Sequence, residues 1–331
     1  MTVPLEIPAG DPRFEAFPRH LVTPGRPPGG ARLFVASGPD GEPLARCAAL
    51  RNGAMRLPDG ETPGLVGWFA AREGAEAAAA ARGVLDAAVR ALREDFGARR
   101  VVGPLDFCTW DAYRLALPEA GPCRFLPDVD TPPHYPALFE SAGFGKLADY
   151  VSTALAPDPA TWARLDRAAA RFAARGICVD RFDPSRAEHD LLDVFAVARV
   201  AFEGALLYTP ISEEGFLARY RPVVPRIVPE FVRLARDAAD APAGFVFALP
   251  NPLAPPDAPE LVVKTLAVRP DPALRGLGAW LVEDLHKRAA DRGFRTVYHA
   301  LMREDNDSAN ITARSARVVR RYRLYVRNTL P

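Results

Sequence analysis

Apolar residues along the chain fall into two alternating rhythms. Residues 31–37, 43–50 and 64–71 are short runs dense in aliphatic and aromatic side chains, with the length and content of buried strands. Residues 74–96 change period: Leu85, Val89 and Leu92 recur at helical spacing, and Gly97 supplies a terminator. Residues 100–102 predict a strand running into Gly103 and Pro104, 135–142 a short helix ended by Gly143, and 146–155 a strand. After a helix over 157–175 the order begins again. A strand (177–182) precedes two or three helices between 187 and 236, then strands at 244–249 and 260–268 flanking a proline loop. A glycine turn at 275–278 leads to a helix (279–292), a strand (296–302), a helix near 308–319 and a last strand at 322–327.

Both halves thus predict meander strands, strand–helix–strand, then helix–strand. The pattern implies two copies of one α/β unit, each with a mixed sheet. The expected division is a proline-rich extended arm over 1–29, a first unit over 30–156 and a second over 157–331.

Composition narrows the function classes. With 331 residues, 49% hydrophobic and 25% charged, the chain can bury a core without staples. Its 42 cations and 41 anions leave a formal +1, too weak a field for a dedicated nucleic-acid binder or a polybasic membrane protein. Only Lys146, Lys264 and Lys287 among those cations are lysine. Four scattered cysteines form no CxxC pair and meet no His at ligand spacing. The expectation is therefore no disulfide framework, no metal and a reducing cytoplasm. The first twenty residues carry acids and prolines unlike a signal peptide, and no apolar run is long enough to span a membrane.

The segment LVVKTLAVRPDPALRGLG, residues 261–278, carries the strongest chemistry. A buried strand ends at Val268, Gly276 and Gly278 make the turn, and no carboxylate sits in the first turn of the helix that follows. Bare amides there, with the positive end of the helix dipole, suit a pyrophosphate. Gly276, Leu277, Gly278 and Ala279 are the expected cradle, with Arg275 as its cation. The equivalent junction of the first copy, GWFAAREGAEAAAAARG, places Glu73 and Glu76 at the helix start, where they would repel the same anion.

The 261–278 segment resembles motif A of the GNAT acyltransferase superfamily, V-x-P-x-x-[QR]-x-x-G-x-[GA], through Val268, Pro270, Gly276 and Gly278; Ala273 stands where that family has Gln or Arg. HALMREDNDSAN resembles the family's next strand and turn, which makes Asn306 the pantetheine contact with Ser308 beside it. VGPLDFCTWDAYRL, PPHYPALFESAGF, LYTPISEEGFLARY and YHALMREDNDS resemble tandem-GNAT proteins of bacteria, over roughly residues 30 to 331. The resemblance implies two fused GNAT-like acyltransferase domains, the N-terminal copy degenerate and without CoA. It also implies acetyl-CoA or another acyl-CoA as donor, its thioester carbonyl lying against the backbone of Leu266, Ala267 and Val268.

The remaining candidates surround that seat. FCTWDAYR offers Trp110, Tyr113 and Arg114 as an acceptor wall, with Asp106 and Asp111 available to pair with Arg114. The family's acid, a Tyr following the pantetheine-contacting Asn, is missing at Ala313 and Arg314. His299, Glu203 and Tyr208 are the catalytic candidates in its place, His299 by titrating near neutrality. Arg314, Arg317, Arg320, Arg321, Arg323 and Arg327 form a basic end able to hold a ribose phosphate or a tRNA, or simply to face water. The expected function is direct transfer of an acyl group, most simply acetyl, to a small-molecule amine in a cleft between the halves. The alternatives are an aminoacyl-tRNA-dependent transferase and a pseudo-acyltransferase that binds CoA or a partner without turnover. Nucleic acid and membrane are not expected partners, and dimerisation is left open.

Overall fold

The computed structural model describes residues 3–18, 25–120, 124–305 and 316–329. The first half runs β1 (Leu5–Ile7), α1 (Pro12–Glu15), β2 (Arg32–Ser37), β3 (Pro43–Arg51), β4 (Gly64–Ala71), α2 (Ala75–Phe96), β5 (Arg100–Gly103), β6 (Leu115–Ala116), α3 (Tyr135–Ser141) and β7 (Gly145–Leu155). The second runs α4 (Trp162–Ala173), β8 (Cys178–Arg181), α5 (Ala187–Ala201), α6 (Glu213–Tyr220), β9 (Val232–Arg236), β10 (Pro242–Pro250), β11 (Glu260–Val268), α7 (Leu277–Asp291), β12 (Thr296–Arg303) and β13 (Arg317–Asn328).

Local chemistry explains the long elements. Gly97, at φ 62, ends α2 by turning left-handed; its N–H donates to the Arg93 carbonyl and the next amide, Ala98, donates to the Leu92 carbonyl. The buried face of α2 is mostly alanine (Ala77, Ala80, Ala81, Ala88), so the helix lies close against β3 and β4. Helix α7 buries Leu277, Leu281, Leu285 and Ala289, one apolar stripe, against β10 and β11.

All described strands join one sheet in the order β1-β2-β3-β4-β5-β13-β7-β12-β11-β10-β9-β8, with β6 beside β13. The two halves exchange their last strands: β13 lies between β5 and β7, and β7 lies between β13 and β12. A cut at 156/157 therefore divides the chain but not the sheet. Among the described strands only two pairs are parallel, and both are short. β4 and β5 pair at Gly64↔Val101 and Leu65↔Val102; β11 and β12 pair from Glu260↔Thr296 to Val263↔His299. Beyond those points the strands part.

Three expectations change. Residues 5–7 of the arm are a strand on the edge of β2, and Phe14 and Phe17 bury their rings against Arg46. Residues 232–236, expected within a helical stretch, are β9. Arg233 and Arg236 disguise its alternation, because their buried guanidiniums are paired with Asp284 and Asp193. Of the helix expected near 308–319, residues 317–319 are strand, part of β13, and residue 316 is not helical; residues 308–315 lie outside the described residues.

Candidate active site

The parting of β11 from β12 builds the site. At β10–β11, Phe247 faces Thr265 and Ala248 faces Val263, so Lys264 is an unopposed bulge. From Lys264 onward β11 keeps its ladder with β10 and has no strand on its other edge. α7 starts at Gly276, φ 88, a left-handed position open to glycine, with no side-chain cap. The amides of Leu277, Gly278 and Ala279 have no protein acceptor among the described residues. Asp271 turns its carboxylate away, to the Ala273 amide at 2.8 Å and toward Arg269 at 3.6 Å.

A cleft of about 930 Å³ passes from this turn through the gap. Val268, Gly276, Gly278, Ala279 and Val282 line its α7 side, and Trp110, Tyr208, Phe216 and Tyr220 line its other side, where α5 and α6 pack.

Comparison with solved structures places this arrangement. The chain matches a GCN5-related N-acetyltransferase from Sphaerobacter thermophilus at 15% identity and TM-score 0.51, over 90% of this chain and 81% of that one. It matches a tandem GNAT protein from the clavulanic acid biosynthesis pathway at 14% identity and TM-score 0.51, over 100% and 99%. Eis1 from Mycobacterium abscessus matches at 12% and 0.51, over 99% and 74%. The chain has a tandem GNAT fold. No protein-family model matches it, and no curated protein matches it in sequence.

Within this GNAT fold, the cleft brings together most residues singled out from the sequence. Leu266, Ala267, Val268, Gly276, Gly278, Ala279, Trp110, Tyr113, Arg114, Tyr208 and His299 all line it. Leu277 points its side chain into the core and offers only its amide. Arg275 is exposed at the turn, outside the lining. Glu203 is not in this cleft; it is exposed and lines a neighbouring cavity of about 850 Å³ with Arg56 and Arg199, which shares Tyr208 and Arg303 with the first. Asn306 and Ser308 lie outside the described residues.

Two expectations about charge are corrected. His299 does not titrate near neutrality. It is buried with Nε2 2.9 Å from Nε2 of His286, and burial pushes His299 down to about 3 and His286 to about 4. Asp106 and Asp111 do not pair with Arg114: Asp106 accepts the Trp68 amide at 2.6 Å, and Asp111 pairs with Arg219 at 2.8 Å. The described part of the basic end is largely neutralised within the fold. Arg320 pairs with buried Asp128 at 2.6 Å, Arg323 with Asp149 at 2.8 Å, Arg327 with Asp86 at 2.5 Å, and Arg321 with Glu304.

Three cations went unnoticed in the sequence. Arg171 of α4 reaches the turn, with Nη2 3.3 Å from where a Cβ on Gly276 would sit. Arg175 donates to the Ala273 carbonyl at 3.1 Å. Lys264 stands in the cleft with Nζ 3.4 Å from the Tyr220 hydroxyl. None lies near the glycine motif in a way that spacing reveals, except Lys264, whose place just before the end of a buried strand is a signal in itself.

Proposed function

We propose that the protein transfers an acyl group from acyl-CoA to an amine, with donor and acceptor meeting in the gap between β11 and β12. One observation carries this: three uncapped helix amides following Gly276, flanked by Arg171 and Arg275, open into a cleft that crosses the sheet. Those groups fit a pyrophosphate by dipole and charge. Acyl-CoA, when bound there, supplies an acyl carbon activated as a thioester and a thiol as leaving group.

The chain's own residues do the rest. The free edge of β11 near Leu266–Val268 polarises a carbonyl laid against it, as an oxyanion hole does. The cations Lys264 and Arg114 disfavour a protonated ammonium in the cleft, so the acceptor nitrogen enters more readily as the neutral nucleophile. Tyr208 has a buried hydroxyl with no partner, and burial raises its pKa, so it holds its proton at neutral pH. It gives that proton to the departing sulfur as the C–S bond breaks, and takes one back from the amine nitrogen once the C–N bond has formed.

CoA at 100 times its Kd should stabilise the protein by about 2.7 kcal/mol in thermal unfolding. Acetyl-CoA with an acceptor amine should release free thiol. No stabilisation by CoA at any concentration would sink the proposal. A second reading, binding without turnover, draws on the absence of a group titrating near neutrality among the described lining residues; stabilisation by CoA with no thiol release across an amine panel would select it.

A further inference from the structure

Arg114 is 6% exposed, yet among the described residues it forms no ion pair with a carboxylate within 4 Å. Its guanidinium lies 4.0 Å from the Tyr113 ring centroid and 4.4 Å from that of Tyr150, held between two aromatic faces. Nη1 donates to the Leu301 carbonyl at a long 3.4 Å, and Nε is buried with no partner. A buried cation left this way is costly unless something else answers its charge. The backbone is committed to the placement as well: Arg114 at φ 65 and Leu301 at φ 60 are both left-handed, a conformation that non-glycine residues hold mainly where the site demands it. Trp110, from the same loop, donates its ring N–H to Thr209 at 2.9 Å, so this wall is fixed to the second half.

The whole cleft has the same bias. Arg114, Lys264 and Arg303 line it, and no Asp or Glu does among the described residues. Arg303 is paired with Asp305, and Lys264 rests against the Tyr220 ring; Arg114 alone presents a planar fork with unused donors. A simple ammonium is repelled from such a cleft, whereas an amine that brings its own anion is not. Resting on the transferase reading above, we infer that the acceptor is an amino acid or similar amine carrying a carboxylate, and that Arg114 anchors that carboxylate. Arg114 lies across the gap from the α7 turn, so the anchor belongs to the acceptor side and the pyrophosphate seat to the donor side.

The test is thiol release from acetyl-CoA with matched acceptors: amino acids, their amides and their decarboxylated amines. Wild-type kcat/KM should favour the carboxylate form by roughly 100-fold, the worth of a charge-assisted bond made in a dry site, and Arg114→Gln should reduce that preference to about threefold. The CoA-induced thermal shift should stay the same in the variant. No preference in the wild type, or a preference kept by Arg114→Gln, overturns the inference. If Arg114→Gln does not fold, Arg114→Lys, which keeps charge and loses the fork, should retain only part of the preference. Succinyl-CoA in place of acetyl-CoA checks the other source of a carboxylate. A preference for that donor, lost in Arg114→Gln, would assign the anchor to the acyl group and overturn its assignment to the acceptor. Calorimetric titration of N-acetyl amino acids against N-acetyl amines into the protein needs no turnover. Binding of the carboxylate form alone supports the anchor even if CoA fails to bind, and equal binding of both overturns it.

Discussion

In the first half, β4 and β5 part after Leu65↔Val102, and the chain then folds back into the gap it has made. Leu105 donates to the Val66 carbonyl at 2.9 Å, Asp106 accepts the Trp68 amide at 2.6 Å, and a Cβ on Gly67 would lie 2.6 Å from the Leu105 carbonyl. In the second half, β11 and β12 part after Val263↔His299, and the gap opens into the cleft. Each helix that follows begins at a left-handed glycine, Gly74 at φ 110 and Gly276 at φ 88. Around Gly74 stand Glu73 and Glu76, with His134 3.6 Å from Glu73; around Gly276 stand Arg171 and Arg275. Both halves carry the same bulge, at Trp68–Phe69 opposite Cys47 and at Lys264. Backbone geometry is thus nearly shared. What separates a site from a strut is where carboxylates are placed: one in the gap, two at the helix start.

The largest effect should come from making the second half resemble the first at its helix start. Gly276→Asp sets a carboxylate against the bound pyrophosphate, and at about 4 Å and an effective dielectric near 20 that repulsion is about 4 kcal/mol, roughly 10³-fold in CoA affinity. Asp tolerates left-handed φ better than most residues, so the variant should still melt cooperatively. A folded variant that binds CoA as the parent does would break the comparison. In the first half, Asp106→Ala removes the acceptor of a buried amide and should cost about 2 kcal/mol of stability, read from urea denaturation, while leaving CoA affinity alone. An equal loss of CoA binding would show that the first gap is no mere strut.

Much of this contrast was legible in residue order. The strands before each helix, the glycine turn and the two glutamates at Glu73 and Glu76 are local, and local signals survive in sequence. The exchange of β7 and β13 is not local: nothing in the alternation of residues 317–328 says which neighbour they take, because an antiparallel edge looks the same on either side. Arg171 and Lys264 escaped because what they touch comes from other elements. His299 was misjudged for the same reason, since its environment is set by His286 on α7, whose facing is visible only once helix and strand are packed. β9 was hidden by arginines whose partners, Asp193 and Asp284, lie on helices.

The histidine pair belongs to the open half alone and gives it a pH signature. Unfolded, both residues take up protons near 6.5; folded, burial holds them to about 4 and about 3. Stability from the pair is therefore complete above pH 6.5 and is lost as pH falls toward those values, at about 1.4 kcal/mol per unit for each histidine. Urea midpoints at pH 7, 6 and 5, compared with those of His286→Gln, isolate the slope. A variant that follows the same profile as the parent would mean the pair is not buried and neutral.

The smallest effect expected is at Arg171, and it tests the cationic side of the contrast most directly. Arg171 is exposed and sits on α4, an element the first half has no counterpart for at its own helix start. Its guanidinium approaches Gly276 without touching the α7 amides, so it can add charge to the seat but not replace the helix dipole. Exposed charges are screened, and a single such contact is worth about 1 kcal/mol or less. Arg171→Ala should then weaken CoA by about fivefold at low salt, with the difference shrinking as salt approaches 1 M, where the screening length is about 3 Å. Binding of pantetheine, which lacks the pyrophosphate, should not change. A loss that persists at high salt would mean that Arg171 makes a direct, desolvated contact, and that the helix start alone does not hold the anion.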